Sequence, residues 1–465
     1  MSPPSPPTRE PAPPADGLPV PRRYWAIAAI VLAIAMSVLD SSIVNVALPS
    51  IARQLHASPA ASIWVVNAYQ LAILVLLLPL ASLGEVVGYR RVSLAGMALF
   101  TISSLGCALA PDLLTLSIAR VVQGFGAAGI MSVGAALVRF TYPQGQLGRA
   151  IGINAFVVAT SAALGPTIAS AVLAVAEWRW LFGINIPLGA ITILIAIRAL
   201  PETERSRRPV DYASAALYAG TLGLVLSGLQ SLAHEAATLL TLVEVGCGCA
   251  LGYLLVRREL PRAAPLLPFD LLRVPLFSLS IATAVCSFMG QTSALVALPF
   301  EIQRLGHTAV ETGLLMTPWP LALALAAPLA GWLADRHAAG VLGGLGLIVM
   351  GAGLLLLAFL PSGASSAGFV WRMALCGLGF GFFQAPNNRA IMVSAPRRRS
   401  GAAGGMLSAA RLLGQSLGAA SVAILFRAFG PAGSHFALGL AALLALAGAA
   451  VSLARLTVHP TEKAT

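Results

Sequence analysis

The chain has 465 residues, of which 58% are hydrophobic and only 10% are charged, and its mean hydropathy is +0.85. A soluble globular protein has about 45–50% apolar and about 25% charged residues, so this composition excludes a soluble enzyme, a disordered protein and a nucleic-acid-binding domain as the main body of the chain. The net charge of +12 comes from basic residues that recur in short groups between long apolar runs, as in the cytoplasmic loops of a membrane protein.

The two ends of the chain differ from the rest. Residues 1–23 form a Pro-rich segment that we expect to be a disordered, cytoplasmic tail. This segment lacks the charged start and apolar stretch of a signal peptide, so the first span should not be cleaved. Residues 457–465 are predicted to form a second cytoplasmic tail.

Long apolar runs fill the chain between these tails. A transmembrane helix needs about 20 mostly apolar residues, and hydrocarbon offers the backbone no hydrogen-bonding partners, so the runs predict helices rather than barrel strands. The sequence therefore predicts an all-α membrane protein with 14 transmembrane helices. The predicted spans are residues 24–48, 62–83, 92–110, 113–138, 150–175, 180–200, 212–232, 237–256, 276–300, 312–333, 340–360, 367–392, 401–426 and 435–456.

Arginines indicate the orientation of these spans. They precede the first span and recur in every second loop, as in Arg205 to Arg208 and Arg397 to Arg399, whereas the intervening loops hold only scattered ones. Positive loops stay in the cytoplasm, so both termini are predicted to be cytoplasmic in a bacterial inner membrane.

Glycines recur at a constant spacing in the two halves of the chain. Gly377 and Gly379 in span 12 follow Gly124 and Gly126 in span 4 by the same number of residues. Such a repeat predicts two six-helix pseudo-repeat halves with two inserted helices between them, as in transporters, although chance alignment of Gly-rich helices is the alternative. The predicted N-terminal half, linker with inserted helices and C-terminal half are residues 24–200, 201–262 and 263–456.

Asp40 is the clearest acidic residue inside a predicted span. Inserting a carboxylate into a bilayer costs about 2.5–3.5 kcal/mol, which favours a proton-binding or substrate-binding role over a helix cap or a headgroup contact. At about 1.5 Å of rise per residue, Asp40 in span 1 and Arg120 in span 4 lie at similar depth in the outer half of the membrane. We therefore expect Arg120 to neighbour Asp40 and to take part in proton coupling, with a purely structural tie as the alternative.

Polar and aromatic side chains in four predicted spans suit an amphipathic organic ligand. Spans 9 and 12 carry most of them, and spans 1 and 4 each add an amide. The predicted cavity residues are Asn45, Gln123, Phe288, Gln291, Phe383, Gln384, Asn387 and Asn388. Core packing is the alternative for this set. Arg411, near the middle of span 13, should face protein rather than lipid.

A further group of residues is predicted to act in gating. Gly165 and Pro166 stand in a run of small residues, and a proline inside a helix removes a hydrogen bond and bends the helix, as a hinge requires. A charge tie among Glu85, Arg90 and Arg91, at the inner end of spans 2 and 3, could lock the two halves in the outward-facing state, although plain anchoring by positive charge is an equal alternative. The predicted set is Glu85, Gly88, Arg90, Arg91, Gly165, Pro166, Asp335 and Arg336.

Motifs of enzymes and of ATP-driven pumps are absent from the sequence. It contains no GxSxG, HExxH or phosphate-binding GxxxxGKS/T motif, so an enzyme is not expected and any pumping must be driven by ions or by another subunit. The five cysteines lie in apolar runs without a set of zinc ligands, and no metal or other cofactor is expected.

Three motifs carry a resemblance to a known family. They are DSSIVNVALP at residues 40–49, RVVQG at residues 120–124 and GP at residues 165–166. With them the chain resembles the major facilitator superfamily and, within it, the fourteen-span drug:proton antiporters, over residues 24–456. The resemblance implies that Asp40 is the proton-linked site and that Arg120 takes part in proton transfer.

The sequence departs from that family's pattern in the loop after span 2. The family has Gly, Asp and a basic residue where this chain has Ala81, Glu85 and Val86, so this part of the family's gating motif is not kept. Asp335 and Arg336 keep only the Asp-Arg half of the corresponding motif in the second half.

The resulting expectation is a proton-coupled secondary transporter that exports hydrophobic or cationic drug-like compounds by alternating access. Its partners would be a small-molecule substrate, protons and the lipid bilayer, without nucleic acid, and it would act as a monomer. An exporter of one endogenous metabolite or lipid-like molecule, an importer, and a non-transporting sensor or scaffold are the alternatives.

Overall fold

The computed structural model describes residues 17–143, 147–203, 211–231, 238–260, 269–334, 336–360, 365–395 and 400–457. Within these ranges the regular structure consists of helices. The α-helices in chain order are α1 (Arg22–Gln54), α2 (Pro59–Ser62), α3 (Trp64–Val87), α4 (Tyr89–Leu109), α5 (Leu113–Thr141), α6 (Leu147–Val175), α7 (Arg179–Gly183), α8 (Asn185–Ala199), α9 (Tyr212–Ser231), α10 (Thr238–Glu259), α11 (Phe269–Leu272), α12 (Pro275–Arg304), α13 (Ala309–Met316), α14 (Pro318–Leu333), α15 (Ala339–Ala358), α16 (Ser366–Ser394), α17 (Ser400–Phe429) and α18 (Gly433–Ala454).

The predicted all-helical membrane protein is confirmed, and the predicted count of 14 spans is not. In the described part of the chain, 12 helical units are long and apolar enough to cross a membrane, and α2–α3, α7–α8 and α13–α14 each form one of them. Two more apolar stretches, Leu164–Val175 of α6 and Tyr212–Gly228 of α9, are the longest continuous parts of those helices whose side chains are described, and each is shorter than the about 20 residues that a span needs. These two lie in predicted spans 5 and 7.

Local sequence signals explain where several helices begin. Asp112 precedes α5, and its carboxylate accepts a hydrogen bond of 2.8 Å from the backbone amide of Thr115, which also lowers the pKa of this exposed carboxyl group. Thr308 and Glu311 form a capping box at the start of α13. Pro318 separates α13 from α14 because a proline has no amide hydrogen to donate.

The two halves of the chain pack their helices in the same way. A Cβ atom on Gly126 would lie 2.8 Å from the carbonyl oxygen of Gly96, and one on Gly379 would lie 2.5 Å from that of Gly346. The first pair joins α5 to α4, and the second joins α16 to α15. Gly126 and Gly379 are one of the glycine pairs of the sequence repeat, so that repeat corresponds to a repeated helix–helix contact.

The contact at Gly126 gives a testable expectation for stability. Gly126→Ala should destabilise the protein by about 1–3 kcal/mol, because the added methyl group overpacks the α4–α5 contact. Gly439→Ala is the matched control, since a Cβ there meets nothing within 4 Å. Melting temperatures of the two detergent-purified variants test this: equal melting temperatures would show that the close approach of α4 and α5 is not required.

The start of α1 and the end of α18 lie on one side of the bundle, which we call the terminal side, and we call the other side the far side. On the far side one apolar cluster contains residues of both halves, among them Leu48 and Ile51 of α1 and Leu298 and Ile302 of α12. The two halves are therefore joined by continuous apolar packing on the far side.

Candidate functional site

The carboxylate of Asp40 lies in the interior of the bundle, and only 2% of the residue is exposed. It forms an ion pair with Nη1 of Arg120. The side-chain amides of Gln123 and Asn185 each donate a hydrogen bond to Oδ1, with distances of 3.0 Å and 2.7 Å. Three donors from α5 and α8 therefore converge on one carboxylate of α1.

The guanidinium of Arg120 is fully buried and fixed on several sides. Its Nε donates to the carbonyl oxygen of Val65 at 3.0 Å, and Nη1 also donates to Oε1 of Gln123 at 2.6 Å. The guanidinium carbon lies 4.1 Å from the ring centre of Tyr69, a favourable cation–π distance. Nη2 is buried with no hydrogen-bond partner among the residues described.

Local geometry accounts for this convergence. Arg120 and Gln123 are three residues apart, so they lie on the same face of α5. One residue later, a Cβ on Gly124 would lie 2.7 Å from the carbonyl oxygen of Tyr69. A glycine thus lets α5 approach α3 closely enough for Arg120 to reach the backbone of Val65 and the ring of Tyr69.

The buried ion pair makes each of its two charges dependent on the other. A buried ion pair costs desolvation free energy that its mutual attraction and hydrogen bonds must offset. If Asp40 took up a proton, Arg120 would remain as an uncompensated buried cation, which costs about 3–5 kcal/mol in comparable cases. Proton binding at Asp40 therefore favours any rearrangement that hydrates Arg120 or gives it another partner.

The repeat shows that the helix packing itself does not need this ion pair. Gly165 of α6 packs against Ser42 of α1, and its repeat partner Gly418 of α17 packs against Thr292 of α12. Ser42 thus corresponds to Thr292 in the second half, and Gly290, two residues before Thr292, takes the place of Asp40.

The arginine is replaced in the same way. Met373 precedes Gly377 by as many residues as Arg120 precedes Gly124, so it takes the place of Arg120 in α16. Met373 is fully buried. The second half therefore packs the corresponding helices with a glycine and a methionine where the first half has an ion pair.

The predicted cavity residues fall into different surroundings. Phe288 of α12 and Phe383 of α16 both contact Phe380, with ring centres 5.4 Å and 5.6 Å apart, and form an aromatic cluster. Gln123 belongs to the buried ion-pair network instead. Asn387 accepts a hydrogen bond of 2.8 Å from Nη1 of Arg455, near the terminal side.

The other four predicted cavity residues are amides without a recorded hydrogen bond in the described part of the chain. Asn45 is buried, and its Oδ1 atom has no partner there. Gln291, Gln384 and Asn388 are half-buried in α12 and α16. Their role in substrate binding stays a prediction.

Gly165 and Pro166 lie where α6 meets both halves. A Cβ on Gly165 would clash with the side chain of Ser42 in α1, and Thr167 forms a hydrogen bond of 2.9 Å with Thr317 in the second half. A Cβ on Gly313 of α13 would lie 2.6 Å from the carbonyl oxygen of Pro166. The predicted hinge is therefore in close contact with the opposite half.

The charged residues of the predicted gate do not form a charge tie between the two halves in the described part of the chain. Nη1 of Arg90 pairs with Glu202 at 3.1 Å, within the same half, while Glu85 and Arg91 are exposed. Gly88 has φ +107°, a conformation that favours glycine, between α3 and α4. The guanidinium of Arg336 lies 4.1 Å from the ring centre of Trp332. Asp335 lies outside the described residues.

Three residues of the site were not predicted from the sequence. Asn185 donates to Asp40, Ser104 accepts a hydrogen bond of 2.8 Å from Gln123, and Tyr69 stacks on Arg120. Asn185 is an amide within the apolar sequence of predicted span 6, which is the same signal that drew attention to Asp40. Tyr69 and Ser104 carry no comparable signal, since both residue types are ordinary in membrane helices.

Comparisons with known proteins agree with this architecture. The model of the Major Facilitator Superfamily matches residues 30–419 and 280–464. The chain is 54% identical, over 97% of its length and 99% of the relative, to "Uncharacterized transporter YebQ" of Escherichia coli (strain K12). It is 33% identical, over 83% of its length and 73% of the relative, to "Multidrug resistance protein Stp" of Mycobacterium tuberculosis (strain CDC 1551 / Oshkosh). A crystal structure of a POT family transporter with a thioalcohol-conjugated peptide shares the fold, with a TM-score of 0.71 and 14% identity over 93% of this chain and 95% of that one.

Proposed function

Because this chain belongs to the major facilitator superfamily, we propose that it exports hydrophobic, drug-like compounds in exchange for protons, by alternating access between its two halves. The observation that carries the proposal is the buried pair of Asp40 and Arg120, which is present in one half of the repeat and replaced by Gly290 and Met373 in the other. The 33% identity to a protein named for multidrug resistance supports export of drug-like compounds.

The proposed cycle uses the proton to change the partner of Arg120. A proton that enters from outside neutralises Asp40, and the uncompensated Arg120 then favours the alternative arrangement of the two halves. Release of that proton to the inside restores the ion pair. Substrate occupies the central region between the halves, near the aromatic cluster of Phe288, Phe380 and Phe383, and leaves on the other side.

The topology belongs to the same proposal. The protein would lie in a bacterial inner membrane with both termini in the cytoplasm, so that the terminal side of the bundle is the inner side. Fourteen spans place both termini on one side, and α9 and α10 would be the two inserted helices. The contacts of α9 with α3, such as the 3.1 Å hydrogen bond from Tyr218 to the carbonyl oxygen of Leu74, support a position outside the two six-helix halves.

Transport in proteoliposomes tests the proposed function. The purified protein should drive accumulation of a cationic dye, ethidium, or an anionic dye, fluorescein, against its concentration gradient when a pH gradient is imposed. Dissipation of that gradient with nigericin is the control and should abolish the accumulation. Dye movement that is the same with and without the pH gradient would contradict proton coupling, and no dye movement in either case would favour a sensor or scaffold.

A further inference from the structure

Arg411 is a cation in the interior of α17, on a face that is directed at another helix. It shares this face with Gly414 and Gly418, which follow it at helical spacing. A Cβ on Gly414 would lie 2.6 Å from the carbonyl oxygen of Val285, and one on Gly418 would lie 2.5 Å from that of Met289. Both contacts are with α12, so Arg411 is on the side of α17 that faces α12 and not on its lipid-facing side.

The guanidinium of Arg411 has no counter-charge among the residues that the structure describes. Its Nε atom is buried without a hydrogen-bond partner, and the residue as a whole is half-buried. Arg455, another arginine of the second half, donates to Ser280, Asn387 and Ser452. Inside a membrane-spanning helix a cation is costly, and none of the nitrogens of Arg411 has a hydrogen-bond partner in the described part of the chain, which indicates a functional site.

Two buried carboxylates that could neutralise an arginine already accept hydrogen bonds from other side chains. Asp40 accepts from three donors, and Glu301 near the far end of α12 accepts hydrogen bonds from Arg304 and Ser434. Neither carboxylate is paired with Arg411, so this part of α17 keeps an uncompensated positive charge among the described residues. An anionic group would find a complementary partner there, whereas a cationic compound would be repelled.

Phe288 packs against α17 one helical turn from Arg411. A Cβ on Gly414, one turn along α17 from Arg411, would lie 3.0 Å from the Cβ atom of Phe288. Phe288 belongs to the aromatic cluster, in which its ring centre is 5.4 Å from that of Phe380. The three rings of the cluster are buried, with 4% or less of each residue exposed, so they make the interior beside this turn of α17 apolar. An acid with an apolar body suits a cation in such surroundings.

We infer that Arg411 binds the carboxylate of amphipathic organic acids on the side of α17 that faces α12, where Phe288 makes the surroundings apolar. The planar guanidinium can bind a carboxylate through two parallel hydrogen bonds. This inference rests on the proposed export function and specifies its substrate class: amphipathic acids are favoured over the cationic members of the hydrophobic or cationic compounds that the sequence led us to expect.

Equilibrium binding to the detergent-purified protein tests this assignment with three matched probes. The probes are 2-naphthoate, its uncharged methyl ester and 2-naphthylmethylammonium, which share a ring system and differ in charge. We expect 2-naphthoate to bind at least about tenfold more tightly than the amine, as for other charge-assisted contacts in a dry site. Equal affinities for acid and amine, or no binding of the acid, would overturn the inference.

Variants of Arg411 test whether the preference for the acid depends on this residue. Arg411→Gln should weaken binding of 2-naphthoate by about tenfold or more and leave binding of the methyl ester unchanged, and Arg411→Lys should give an intermediate affinity because it keeps the charge but not the planar fork. Arg372→Gln is the matched control, since Arg372 is a half-buried arginine of α16 that donates to the carbonyl oxygen of Gly368. An equal loss of acid and ester binding in Arg411→Gln would overturn the assignment.

Transport of the same probes separates this inference from the proposed function. If the amine and the ester exchange for protons and the acid does not, the inference fails while proton-coupled export stands. If 2-naphthoate binds in an Arg411-dependent way but no probe moves in response to a pH gradient, the binding site stands and proton-coupled export fails.

Discussion

Asp40→Asn should abolish pH-driven accumulation of substrate, with a loss of at least about 100-fold in the rate of uphill transport. Asparagine has nearly the size of aspartate, so the helix packing around residue 40 is kept. It cannot bind or release a proton, and it leaves Arg120 buried without a counter-charge. Coupling fails because the two arrangements of the halves no longer differ in protonation.

The assay is dye accumulation in proteoliposomes under an imposed pH gradient, with downhill dye efflux measured on the same vesicles. Asp112→Asn is the matched control, because Asp112 is an exposed helix cap outside the spans and an asparagine can accept the same hydrogen bond from the Thr115 amide. The control should transport at the wild-type rate. Uphill accumulation at an undiminished rate by Asp40→Asn would exclude Asp40 as the coupling site.

Arg120→Lys should slow proton-coupled exchange by about tenfold or more even though the charge is kept. The arginine bonds Val65 through Nε and Asp40 through Nη1 while its plane stacks on Tyr69. A lysine ammonium is a single charged centre on a flexible stem and cannot make these contacts together. Arg120→Ala, by contrast, removes the counter-charge of a buried carboxylate and should cost about 3–5 kcal/mol of stability.

Melting temperature and exchange rate, measured on the same preparation, separate the coupling role of Arg120 from a structural one. A structural tie predicts that Arg120→Lys has a lower melting temperature but exchanges normally when folded, whereas a coupling role predicts a folded protein that exchanges slowly. Arg372→Lys serves as the control in the second half, where the arginine is half-buried and lies over Trp371, and it should exchange within about twofold of wild type. Normal exchange by Arg120→Lys would refute the coupling role.

The sequence predicted the helices and the ion pair because both depend on the length of apolar runs and on residue positions along a single span. Apolar length specifies a span, and counting residues along two spans brought Asp40 and Arg120 to the same depth. The glycine repeat was visible because its spacing is constant, and the structure places Gly126 and Gly379 in equivalent contacts. These signals need no knowledge of how the spans are rotated.

Partners that depend on helix rotation could not be predicted. Gln123 was assigned to the cavity. Its spacing of three residues from Arg120 shows that the two share a face of α5, but only the rotation of α5 brings that face against Asp40. Asn185 reaches Asp40 only because α7 and α8 bring the start of α8 beside α1. Arg90 pairs with Glu202, which is distant in sequence, and no pattern in the sequence distinguishes it from the nearer Glu85.

The most direct test of proton exchange at Asp40 is the proton movement that substrate itself drives. Vesicles that contain the purified protein and the pH indicator pyranine receive a concentration gradient of ethidium or fluorescein, whichever the wild-type protein transports, with no imposed pH gradient. The internal pH should change as protons move opposite to the dye through the wild-type protein, and it should stay constant with Asp40→Asn. Protons that move in the same direction as the dye, or an equal pH change with Asp40→Asn, would contradict proton exchange at this residue.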